Sequence, residues 1–131
     1  MRWLRRLAKF LVVVVILIAA ALAGFRAASL LRETQTPVEA AGPGALFVDA
    51  AGLQMHYRTW GPAAGRPLIL VHGTLSWAGT WEDVAEPLAA LGYRVIAPDM
   101  PPFGFSEKAN DGDYRRPASA KRLRAFIDAL G

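Results

Sequence analysis

A chain of 131 residues without cysteine has room for one domain at most and can form neither a disulfide nor a thiolate site. Its net charge of +4 is local: residues 1–26 carry five of the 15 Lys and Arg and no acid, which leaves ten basic against 11 acidic side chains elsewhere. Nothing in that balance asks for a nucleic-acid partner.

Residues 1–9 form a basic N-terminal segment with Arg2, Arg5, Arg6 and Lys9. An uncharged run follows from Phe10 to Phe25, FLVVVVILIAAALAGF. As a helix it spans about 24 Å at 1.5 Å per residue, short of the ~30 Å hydrocarbon core of a bilayer. Arg26 can snorkel, and Ala27 to Leu31 extend the apolar face, so residues 10–31 are expected to form a transmembrane or signal-anchor helix. A cleaved signal peptide competes, with Ala21-Leu22-Ala23 as its cleavage site, but the run exceeds the ~7–15 residues of a signal h-region and favours a retained anchor. The basic end is expected in the cytoplasm and the rest outside, periplasmic or extracellular.

Residues 32–45, RETQTPVEAAGPGA, read as a linker, with two Pro, two Gly and no periodicity. Phe47-Val48 and Leu53 to Trp60 read as a hairpin turning at Asp49-Ala50-Ala51-Gly52. In LQMHYRTW, Leu53, Met55, Tyr57 and Thr59 alternate with polar side chains, which puts His56 on a wetter face as a surface residue. Pro67 to Val71 is a second apolar run, read as a parallel strand buried on both faces. Thr80 is the expected N-cap of a helix to Leu91, with Trp81, Val84, Leu88 and Leu91 on its buried face. Pro87 should kink that helix or split off its first turn, and Gly92 should end it. Tyr93 to Ala97 is the next strand. After a polar loop at residues 107–116 a last helix begins near Pro117 or Ser119. Its apolar face is Leu123, Phe126, Ile127 and Leu130, Lys121, Arg122 and Arg124 are its solvated side, and Gly131 is its C-cap. Strand, helix, strand from Pro67 to Ala97 is a βαβ unit, whose strands run parallel and gather chemistry at their carboxyl ends. Those ends are His72-Gly73-Thr74 and Asp99-Met100-Pro101-Pro102-Phe103-Gly104.

The two turns resemble those of the α/β-hydrolase superfamily: an HG turn after the third strand, and a D-x-P-x-x-G-x-S turn, Asp99 to Ser106, after the fourth. The resemblance covers about Phe47 to Gly131, with one departure, since the family most often has Gly where Pro102 stands. It implies an α/β fold in which residues 46–131 are the N-terminal part of an α/β-hydrolase domain, strands 1–4 with two helices, preceded by the transmembrane helix. The implied sheet order is 1-2-4-3-5, which leaves Pro67–Val71 as an open edge here.

The family's nucleophile sits in a G-x-S-x-G elbow after the fifth strand, and its catalytic histidine follows the acid in chain order. No such elbow occurs here. Gly104-Phe105-Ser106-Glu107-Lys108 lacks the final glycine and belongs to the fourth-strand turn, so Ser106 reads as a turn-stabilising hydroxyl. His56 and His72 are the only histidines, and neither fits the base. The resemblance therefore implies no catalytic residue in this chain. It implies one half of an oxyanion hole, the backbone N–H of Thr74, with His72, Gly73, Asp99 and Gly104 shaping the turns and Gly73 letting the backbone turn inward. Trp77 is a candidate pocket-lining residue and Trp81 a packing one. No metal and no cofactor are implied. The partners are a small-molecule substrate, once the rest of the domain is present, and the lipid bilayer. The function expected is that of the N-terminal part of a membrane-anchored hydrolase of small esters, amides, epoxides or related substrates, inactive alone. A non-catalytic, membrane-tethered interaction protein using its open sheet edge is the alternative. A surface peptide with a disordered tail is disfavoured, because the sequence after Phe47 is apolar and regular.

Overall fold

The computed structural model describes residues 2–32 and 34–131. Met1, in the basic segment, and Glu33, in the expected linker, lie outside the described residues. The chain divides into two units, Met1–Thr36 and Pro37–Gly131.

The first unit is one helix, α1, Arg2–Arg32. Its stretch Trp3–Leu31 is long and apolar enough to cross a membrane. At 1.5 Å per residue the 31-residue helix is about 46 Å long, so it exceeds the ~30 Å core that the uncharged run alone falls short of. Within the stretch expected to be irregular, the second unit begins with a short helix, α2, Pro37–Ala41. Pro37 opens it, a position where its missing N–H costs no hydrogen bond.

Four strands follow: β1, Leu46–Ala50; β2, Leu53–Trp60; β3, Arg66–Ile69; and β4, Tyr93–Pro98. They form one sheet in the order β1-β2-β4-β3, the order the resemblance implies. β1 and β2 are antiparallel with Ala50 opposite Leu53, which leaves Ala51 and Gly52 as a two-residue turn. Both have positive φ, 55° and 72°, the requirement of a type I′ hairpin turn, which Gly meets without strain. β2 and β4 are antiparallel, whereas β3 and β4 run parallel, Leu68 beside Val95 and Ile69 beside Ile96. The βαβ reading of Pro67 to Ala97 holds.

The crossover between β3 and β4 is a 3-10 turn, Ala78–Trp81, then α3, Glu82–Ala90. Thr80 is not the N-cap. It lies inside the 3-10 turn, and Trp81 occupies the cap position without a side-chain hydrogen bond. α3 runs on through Pro87. Its buried contact is Ala85, while Val84 and Leu91 are exposed. Periodicity alone does not reveal which side of the helix meets the sheet. Gly92 ends the helix at φ 90° as expected, its N–H bonded to the Ala89 carbonyl.

The main core lies where α4, Arg116–Leu130, covers the sheet. Phe126 is fully buried against Met55, Leu53, Ala50, Ile96 and Met100, edge-on to Tyr57 with 5.6 Å between centroids. Burying one such side chain stabilises the fold by about 1.5–3 kcal/mol. Leu123 and Leu130 pack on the same cluster, but Ile127 points outward, 42% exposed. Arg122 is not on the solvated side. It is buried, and its guanidinium donates to the Asp113 carbonyl and to Asp111 while lying over Tyr114. β3 is less buried than a central parallel strand. Leu68 and Ile69 are half-buried and Val71 is 40% exposed, because β3 is an edge strand with a neighbour on one side only among the described residues.

Candidate active-site cleft

The loops after β3 and β4 rise from the carboxyl ends of adjacent parallel strands. With α4 they wall a cleft of about 480 Å³, lined by His72, Gly73, Thr74, Met100 and Phe103 and, from α4, Ser119 and Leu123 among others. Most of that lining is apolar side chain or backbone, the composition of a small-molecule site with few fixed polar groups.

His72 is buried and ties the two loops together. The Met100 N–H donates to its Nε2 at 2.8 Å. A backbone amide can only donate, so the ring proton sits on Nδ1, which donates to the Gly73 carbonyl at 2.7 Å. The Gly73 carbonyl and the Thr74 N–H share one planar trans peptide and point in opposite directions. By holding the carbonyl, His72 sets the direction of the Thr74 N–H. Among the described residues Thr74 makes no hydrogen bond. Leu75, next in sequence, has φ 60° and is 88% exposed. A non-glycine residue held there costs about 1–2 kcal/mol, so the loop is kept in shape from outside itself.

That hold comes from Asp99, which is fully buried at the end of β4. Its Oδ1 accepts the Ala78 N–H at 2.6 Å. Its Oδ2 accepts the Phe105 N–H at 2.8 Å and the Nδ1 proton of His56 at 2.8 Å. Burial is the largest single influence on the Asp99 carboxyl and pushes its pKa up. The hydrogen bonds from His56, Ala78 and Phe105 together outweigh it and hold the group below its ordinary value. Ser106 completes the knot: its hydroxyl donates to the Asp99 carbonyl at 2.6 Å and accepts the His56 N–H at 2.8 Å. The hydroxyl is buried and tied within the turn.

Gly104 and Gly73 differ. Gly104 has φ 60°, and a Cβ there would sit on the Asp99 carboxylate. A Cβ at Gly73 would meet nothing within 4 Å, and its φ is not left-handed, so the expected need for a glycine at Gly73 is not met in the described residues. Trp77, edge-on to Phe105 at 6.3 Å, borders a separate hollow shared with His56, Arg58 and Trp60.

His56 is the residue the sequence misplaces. It is buried, not on a wet face, and sits edge-on between Phe47 at 5.2 Å and Phe105 at 5.3 Å. Alternation along β2 separates two faces but does not say that both are covered. α4 covers the face of Met55, while the other meets the crossover, where Arg58 pairs with Glu82 of α3 at 3.0 Å. The signal was available in Asp99, since a carboxylate buried at a strand end needs donors.

Residues 66–131 match the sequence profile of the alpha/beta hydrolase fold. The chain belongs to the α/β-hydrolase-fold family. The four strands and their helices are part of that fold. Over 83 residues the chain is 48% identical to a haloalkane dehalogenase of Mycobacterium marinum, a stretch covering 63% of this chain and 28% of the dehalogenase. It is 38% identical over 82 residues to Lipase 1 of Psychrobacter immobilis, covering 63% of this chain and 25% of the lipase. Among solved structures, a membrane phospholipase A described as a bacterial virulence factor superposes with a TM-score of 0.63 at 33% identity, covering 94% of this chain and 40% of the phospholipase. The chain thus spans about a quarter of the length of the curated relatives it matches.

Proposed function

We propose that this chain supplies the oxyanion side of a membrane-anchored α/β hydrolase acting on a small ester, amide, epoxide or related substrate. The observation that carries the reading is the Thr74 N–H, without a partner among the described residues, on a loop lining the cleft beside the β4 turn. When a nucleophile attacks a carbonyl, the oxygen gains charge, and an amide already aimed at it needs no reorganisation. Loss of one such donor costs about 2.7–4 kcal/mol in the transition state. His72, Asp99 and Gly104 shape the turns that present this donor, and Gly73 takes part through the carbonyl that His72 holds. The nucleophile, acid and base have no counterpart in these 131 residues, since the sequence holds no G-x-S-x-G and neither histidine is free to act as base. No metal and no organic cofactor enter this chemistry.

Support for the membrane anchor is α1 itself, together with the likeness to a membrane phospholipase A. The four basic side chains ahead of the apolar run orient it with the N-terminus in the cytoplasm and the second unit outside.

The test is hydrolysis of p-nitrophenyl esters and simple epoxides by the purified gene product in detergent, beside residues 1–131 alone. Turnover is expected only from a product that carries a nucleophile elbow within about 15 residues after Gly131. Turnover by residues 1–131, or a product without an elbow, refutes the proposal.

A second reading has one observation in its favour. β3 is an edge strand with half-buried apolar side chains, which is a template for pairing with another chain. In that reading the chain is a non-catalytic, membrane-tethered interaction protein. Light scattering that finds it monomeric in detergent, with no partner retained on gentle solubilisation, excludes it.

A further inference from the structure

The loop that carries Thr74 is anchored on both sides. Upstream, His72 bridges the Gly73 carbonyl and the Met100 N–H. Downstream, the anchor is the bond from the buried Ala78 N–H to Asp99 Oδ1, four residues after Thr74. A carboxylate can rotate about its last side-chain bond, so that anchor is only as fixed as Oδ2. Oδ2 takes one backbone donor, Phe105, from a loop, and one side-chain donor, His56, from the sheet.

His56 is the more firmly placed of the two. Its carbonyl accepts the Asp99 N–H at 2.8 Å, its own N–H donates to Ser106, and its ring is gripped edge-on by Phe47 and Phe105. We propose that His56 is a positioning residue for the oxyanion donor: its Nδ1–H fixes the plane of the Asp99 carboxylate, the carboxylate fixes Ala78, and Ala78 fixes the loop on which the Thr74 N–H is displayed. His56 touches no substrate in this scheme. The inference deepens the proposed function and rests on it for its kinetic consequence, but not for its structural one.

Two substitutions separate positioning from space-filling. His56→Asn keeps an N–H donor close to the place of Nδ1, whereas His56→Leu keeps apolar volume and removes the donor. The primary readout is amide hydrogen exchange of the chain in detergent micelles. In His56→Leu, exchange at Ala78, the amide that Asp99 Oδ1 holds, should quicken by at least about tenfold, the effect of losing one charge-assisted hydrogen bond, while α4 exchanges as before. His56→Asn should restore most of the protection. Unchanged exchange in His56→Leu, or no difference between the two variants, overturns the proposal. If His56→Leu does not fold, the unsubstituted protein still decides the matter. Imidazole ¹⁵N shifts should place the ring proton of His56 on Nδ1, and a through-hydrogen-bond coupling should link the Ala78 amide to the Asp99 carboxyl carbon. A proton on Nε2 alone, or no coupling, overturns the proposal.

In the gene product, hydrolysis by His56→Leu should lose about tenfold to a hundredfold in kcat with KM within about twofold, less than the ~10²–10³ of deleting an oxyanion donor outright. A rise in KM with kcat unchanged contradicts positioning. Loosened exchange in a gene product with no hydrolytic turnover upholds the His56 anchor and removes the hydrolase reading. Unchanged exchange in an active enzyme does the reverse.

Discussion

Replacing Gly104 by Ala tests the knot around Asp99 directly. Two costs add at this position. Alanine at φ 60° pays about 1–2 kcal/mol for the left-handed backbone. Its methyl would also overlap the Asp99 carboxylate, which is fully buried and accepts from His56, Ala78 and Phe105. The carboxylate can move aside only by losing at least one of those bonds, at about 1.5–3 kcal/mol for a bond to a charged group. The expected destabilisation is therefore about 2.5–5 kcal/mol. For a unit of this size each kcal/mol shifts Tm by about 4–8 °C, so Gly104→Ala should lower Tm by at least about 10 °C. Gly73→Ala is the internal control. It has open space and no left-handed φ, so it should stay within about 0.5 kcal/mol of the parent. Tryptophan fluorescence during thermal and urea unfolding in detergent measures both. A Gly104→Ala cost under about 1 kcal/mol, or equal costs for the two glycines, would show that the Asp99 carboxylate is not held as described.

Acid unfolding should carry the mark of Asp99. Its folded pKa lies below the ordinary 3.8, so its stabilisation is fully present above that value and is lost as pH falls through the folded pKa. Asp99→Asn should flatten the stability–pH profile below about pH 4, and an unaltered acid limb argues against the assignment. Arg122→Ala should cost about 1.5–3 kcal/mol, since a buried guanidinium leaves the Asp113 carbonyl and Asp111 behind. Arg124→Ala, which breaks an exposed and solvent-screened i,i+4 pair with Asp128, should leave the urea midpoint close to the parent's, and urea midpoints of the two variants distinguish them. For α1, Ile16→Arg should disfavour insertion by about 2.5–3.5 kcal/mol and move the protein from the carbonate-resistant to the extractable fraction. N-terminal sequencing of the mature protein then separates an anchor, which keeps Met1 or Arg2, from a signal cleaved near Ala23.

The sequence by itself determined the four strands, the three longer helices and their order, but neither the short α2 nor the 3-10 turn before α3. The apolar run of α1, Gly92 after α3 and Leu123, Phe126 and Leu130 of the α4 stripe each express a local rule and appear in the structure, and the turn expected over Asp49 to Gly52 narrows to Ala51-Gly52. Two short turns at the carboxyl ends of parallel strands were enough to name the fold. Residues wrongly placed from the sequence share one cause. His56, Arg122, Val84 and Leu91 were assigned to a wet or a dry side by periodicity, and periodicity gives a direction around an element without saying what stands opposite. Only the folded chain puts the crossover over the second face of β2 and the Asp111–Asp113 loop over Arg122, and buries α3 at Ala85. The same holds for the candidate site. Thr74 was legible as a residue after an HG turn, but its anchoring was not, because Asp99, His56 and Ala78 are far apart in sequence. Local chemistry chooses the turns, whereas long-range hydrogen bonding to one buried carboxylate decides how those turns face each other.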